Sequence, residues 1–143
     1  MLAPAVGMAT LVGADTANAE TTGAYNHPIV GTWQVDILFP VGSGNPPEKG
    51  LFLFTGTNLV ICTNTRVRDL GLGKWDLLDP FRFSFTFRHH MFMPDGTWGG
   101  TLDIAHSGSA SGNTFTSSGT GKAYDTNGKP TDSVSSRIAG VRY

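Results

Sequence analysis

From residue 31 onward the hydrophobic and polar positions alternate with a period of two. Trp33, Val35, Ile37 and Phe39 fall on one side of Gly31–Phe39, with Thr32, Gln34 and Asp36 on the other. That alternation predicts a strand with one buried face. His27-Pro28 disfavours helix just before it, and Gly31 marks a place where another backbone can approach. The pattern recurs most clearly in residues 81–92. Phe81, Phe83, Phe85, Phe87, His89 and Met91 share a face opposite Arg82, Ser84, Thr86, Arg88 and His90. Helical spacing would scatter these rings, whereas a strand aligns them.

Turn signals divide the remainder. Pro40 ends the first strand, and residues 41–47 read as a loop. Strand two is expected at 49–55, with Leu51 and Leu53 on one face and Phe52 and Phe54 on the other. Apolar residues on both faces predict a cover on the outer side. A turn at 55–58 leads to strand three at 59–63. Residues 64–72 form a second loop with Arg66, Arg68 and Asp69 exposed. Strand four is expected at 73–77 around Trp75, strand five at 81–92, and a tight turn at Pro94-Asp95-Gly96-Thr97. Strand six is expected at 97–106, with Trp98, Leu102 and Ile104 on one face, followed by a small-residue turn at 107–112. Strands seven (113–124) and eight (131–142) flank Asp125-Thr126-Asn127-Gly128. Eight strands joined largely by short turns predict an all-β, eight-stranded antiparallel up-and-down barrel over residues 25–143, a size able to enclose one small ligand.

Composition sharpens this. The 143 residues include 19 Gly and nine Phe, only 15% are charged, and the net charge is −1. Nothing provides the basic footprint that nucleic acid requires, and no apolar run is long enough to insert in a membrane as a helix. The single Cys62, in an apolar run, is expected to be a buried thiol. Residues 1–24 stand apart. Their apolar start and Ala17-Asn18-Ala19 before Glu20 fit an export leader or its remnant. The competing reading is an N-terminal lid folded over the barrel mouth. Extracytoplasmic location follows from a cleaved leader, and cytoplasmic location from the lid. Either a monomer or a homodimer is compatible with the chain.

Candidate chemistry is sparse. No Gly-x-Ser-x-Gly elbow and no Gly-rich phosphate loop are present. His89 and His90, adjacent in a strand, point to opposite faces and cannot share an ion. Counting outward from Asp95-Gly96 sets Arg88 opposite Asp103, His89 opposite Leu102, and His106 opposite Phe85. His89 and His106 are thus too far apart along the ladder for a common metal, and Arg88–Asp103 is expected as an outer ion pair. The inward aromatic stripe carries the function. Trp33, Trp75, Phe83, Phe85, Phe87, Met91 and Trp98 are expected to bound an apolar cavity, with His89 as the first polar donor and Tyr124 and Arg137 as further handles.

The Gly31-Thr32-Trp33 start and the central Asp95-Gly96-Thr97 turn resemble those of small bacterial lipocalin-like (calycin-type) barrels. That group includes the barrel-fold [4+2] cyclases of polyketide biosynthesis. The resemblance implies a small hydrophobic ligand, no cofactor and no metal. It offers two functions: a cyclase closing rings in a polyketide-like polyene (a Diels-Alderase), or a non-catalytic carrier. A site that works by orientation and exclusion of water needs only an apolar cavity and one donor.

Overall fold

A computed structural model describes residues 24–143; of the leader or lid expected in residues 1–24, all but Ala24 lies outside the described residues. The chain forms eight antiparallel strands: β1 (Gly31–Leu38), β2 (Glu48–Phe54), β3 (Leu59–Asn64), β4 (Gly71–Leu77), β5 (Arg82–Phe92), β6 (Trp98–Ser111), β7 (Thr114–Tyr124) and β8 (Pro130–Arg142). Each pairs with the next in sequence, and β8 returns to pair with β1, closing the barrel. Alternation does what the sequence pattern requires. Trp33, Val35 and Ile37 of β1, Phe83, Phe85, Phe87 and His89 of β5, and Ser136, Ile138 and Gly140 of β8 all face inward. The register at the β5–β6 hairpin matches the count from Asp95-Gly96: Arg88↔Asp103, His89↔Leu102 and Phe85↔His106. Arg88 grips Asp103 with two bonds of 2.6 and 2.7 Å on the outer face.

One end of the barrel is filled. Phe54 lies 5.4–6.5 Å, ring to ring, from Trp75, Phe83, Phe85 and Phe115, mostly edge to face. Aromatic pairs favour that geometry. Residues 24–30 cross this end. Ile29 and His27 are buried, and the Trp33 indole donates to the Ile29 carbonyl at 2.7 Å. The Trp75 indole donates to the Thr55 carbonyl at 2.8 Å, so neither tryptophan buries an unpaired N–H. His27 closes the seal. Its Nδ1 accepts from the Ile29 amide and its Nε2 bonds the Asp79 carbonyl, each at 3.1 Å. Burial pushes this imidazole below its ordinary pKa.

Several boundaries and faces differ from expectation. Gly31 has φ +133°, and the group lying against it is the Arg142 guanidinium rather than another backbone. Asp79 accepts from the Phe81 and Arg82 amides at 2.9 and 2.7 Å. That turn delays β5 to Arg82 and leaves Phe81 outside. Residues 107–111 continue β6 rather than turning. Gly108 and Ala110 point inward where the filled end has no room for larger groups, and the turn comes at Gly112. Leu51 is half exposed, with no cover over it among the described residues. Cys62 is buried as expected, its thiol 3.7 Å from the Gly71 carbonyl and pushed well above the usual thiol range by burial.

Candidate functional site

The opposite half of the barrel is hollow. A cavity of about 260 Å³ opens at the end formed by the loops after β1, β3, β5 and β7. Its apolar lining comes mainly from two opposed walls: Ile37, Phe39, Val134 and Ile138 from β1, the residue after it and β8, and Phe87, Met91, Leu102 and Ile104 from β5 and β6. The polar lining is concentrated in a few built arrangements.

On the β6–β8 wall, His106 is buried and bonded at both ring nitrogens to serines. Nδ1 meets Ser117 Oγ at 3.1 Å and Nε2 meets Ser136 Oγ at 3.0 Å. The register explains the reach. His106 pairs with Gly119, and Gly119 pairs with Ser136, so the imidazole spans the glycine to reach β8. A Cβ at Gly119 would stand 2.6 Å from His106 Cδ2 and closer still to the Ala105 carbonyl oxygen. Phe85 lies against the ring, with centroids 5.5 Å apart. Burial alone lowers the His106 pKa to about 4, so the ring is neutral near pH 7.

His89, also buried, continues the inward face of β5. Its Nδ1 donates to the Asp69 carbonyl at 3.0 Å, which leaves Nε2 as the acceptor of the neutral ring. Burial lowers this pKa too, against the opposing pull of Asp69. Asp69 also accepts from the His90 amide at 3.0 Å, tying the β3–β4 loop to β5. His90 itself points outward, opposite to His89.

On the β2–β3 side, Glu48 is the inward-facing first residue of β2, and burial raises its carboxyl pKa. Arg66 approaches it at 3.7 Å and donates to Asn45 Oδ1 at 3.1 Å, joining two mouth loops. Asn64 shapes the second loop by accepting from the Arg66 and Val67 amides at 2.9 and 2.6 Å.

The expected site residues divide three ways. Phe87, Met91 and His89 line the cavity. Trp33, Trp75, Phe83 and Phe85 face inward but are packed into the filled half. Trp98, Tyr124 and Arg137 face outward, which corrects the expectation for all three. Trp98 is displaced by a bulge between Met91 and Phe92, with Gly100 at φ +124°; its ring, half exposed, meets outward His90. Tyr124 pairs with Thr101, on the face where Asp103 meets Arg88. Arg137 alternates with inward Ser136 and Ile138 and lies in a surface groove beside Arg82.

Sequence reading passed over Glu48, Arg66, His106, Ser117 and Ser136 as members of a site. For His106 a signal existed: it continues the inward series Leu102, Ile104. For the serines none did, since the meeting of β6 with β8 across a glycine depends on barrel closure.

The chain matches no family model, no curated protein and no solved structure.

Proposed function

We propose that this barrel binds a small, largely apolar molecule in its open half. The observation that carries the reading is the division of one interior into a packed aromatic half and an apolar hollow containing buried polar groups. Ligand sites have this character. An apolar cavity of about 150 Å³ accepts benzene. At about 260 Å³ this one encloses a larger molecule, or one end of a chain whose remainder leaves by the mouth. The export-like Ala17-Asn18-Ala19 segment supports a carrier working outside the cytoplasm.

The test is to fill the hollow. Ala123 lines it, remote from the packed aromatics. Ala123→Trp should abolish binding of a neutral aromatic such as naphthalene while the protein still melts cooperatively. Trp98→Ala, on the outer face, should leave binding intact. Equal binding by both variants and the parent would place the ligand elsewhere.

A second reading is favoured by the three titratable groups that burial shifts at this cavity, namely Glu48 upward and His89 and His106 downward. Such shifts cluster at catalytic sites. The bound molecule is then a substrate, and ring closure of a polyketide-like polyene without a cofactor is the reaction that asks least of the site. A shape-holding cavity with a hydrogen bond to a carbonyl lowers the barrier through orientation and electrostatics. Loss of diene absorbance from a linear triene-ketone, accelerated by the protein but not by Ala123→Trp, would support it. Saturable binding with no acceleration would leave the carrier.

A further inference from the structure

Resting on the open half being a ligand site, we infer that its ligand is a neutral alcohol or carbonyl compound whose oxygen is anchored on the Ser136 hydroxyl. Three observations converge on that atom. Ser117, His106 and Ser136 are all buried, yet only His106 and Ser136 reach the cavity. They are placed by construction, because β7 is reduced to Gly119 where the imidazole must cross it. The third is proton counting.

A neutral imidazole has one N–H and one lone pair, and here each nitrogen already meets a serine. When Nε2 carries the proton it donates to Ser136 Oγ, and Ser117 donates to Nδ1. The Ser136 hydroxyl proton is then unspent and can be given to a carbonyl. When Nδ1 carries the proton, it donates to Ser117, and Ser136 donates to Nε2. The Ser136 oxygen can then accept from an alcohol. The trio therefore reads an oxygen of either kind by exchanging tautomers, with no change in net charge.

Charge selects against other ligand classes. The only titratable group in the trio is His106, which burial keeps neutral down to about pH 4. A carboxylate or ammonium brought to Ser136 would lose its hydration with no counter-charge in the trio. The charged lining, Glu48 on β2 with Arg66 on the β3–β4 loop, lies across the ring from β6 and β7, and Asp132 lies exposed toward the start of β8.

Equilibrium dialysis with naphthalene and 2-naphthol, each quantified by its own fluorescence, tests this. The parent protein should bind 2-naphthol roughly three- to tenfold more tightly than naphthalene after correction for partition from water, as one net hydrogen bond predicts. Ser136→Ala should keep naphthalene binding and lose that preference. A purely structural trio would instead lower the melting temperature of Ser136→Ala and leave the ratio of the two probes unchanged. Equal binding of both probes by the parent overturns the inference alone. Binding of neither overturns it together with the ligand-site reading.

Discussion

The Arg142 guanidinium lies over the Trp33 indole, 4.3 Å from its centroid, and joins the last strand to the first at the filled end. The same group donates to the Val30 carbonyl at 2.9 Å and also to the Pro28 carbonyl, so it holds the segment crossing that end. Gly31, lying against the guanidinium, provides the space a side chain would take. Cation, indole and chain crossing form one device that seals the barrel.

Arg142→Ala should therefore destabilise by about 2–3 kcal/mol, combining a cation–π contact with hydrogen bonds from a charged donor. Arg142→Lys should recover only part, because an ammonium cannot lie flat on the ring and reach both carbonyls. Trp33→Ala should cost about 3–5 kcal/mol. Urea unfolding checks all three, and an Arg142→Ala loss under about 0.5 kcal/mol would deny the seal its role.

What the sequence revealed depended on the range of the interaction. Alternation within a strand is local, so β1 and β5 were legible, and a tight turn transmits register to its flanks. Arg88 opposite Asp103 follows from counting alone. Trp98 was misread for a physical reason: one extra residue at the bulge reverses the face of everything beyond it. The partition into filled and hollow halves was not legible either. It depends on which rings of separate strands share a level, and on residues 24–30 crossing one end. His106 shows both limits. Its inward face could be counted, but its serine partners are 11 and 30 residues away and meet it through β7 and β8.

The depressed His106 pKa makes stability depend on pH with a definite sign. The unfolded ring binds a proton near its ordinary 6.5, the folded ring only near 4. Between those values the unfolded state holds more protons, so stability rises with pH. The contribution is complete above pH 6.5, is lost as pH falls toward 4, and changes little below. From pH 7.5 to 4.5 the loss is about 2–3 kcal/mol. The parent should lose that much more than His106→Gln over the same interval, by urea midpoints at both pH values. Parallel losses would mean that His106 titrates normally.

Gly119→Ala tests the built crossing. The new methyl would overlap the Ala105 carbonyl and the His106 ring, both fixed by the ladder. Overpacking of this kind costs about 1–3 kcal/mol or more. Because the ring must move, the His106 pKa measured by proton NMR should rise toward 6.5 as its serine bonds and burial are lost. Destabilisation with an unchanged His106 titration would show that β7 yields and the ring does not.

His89→Phe separates the two sides of the mouth. The replacement keeps ring volume against Phe87, which meets His89 edge to face at 5.3 Å. It removes the N–H that holds the Asp69 carbonyl. A lost net hydrogen bond costs about 0.5–1.5 kcal/mol, so the barrel should stay folded. The β3–β4 loop, however, is then tied to β5 only through the Asp69 side chain at His90. Amide exchange in residues 65–70 should quicken, and Arg66, carried by that loop, should hold Glu48 less well. Ligand release should then accelerate while the alcohol preference set on the β6–β8 wall persists. If His89→Phe abolishes that preference with loop exchange unchanged, His89 rather than Ser136 is the group that meets the ligand oxygen.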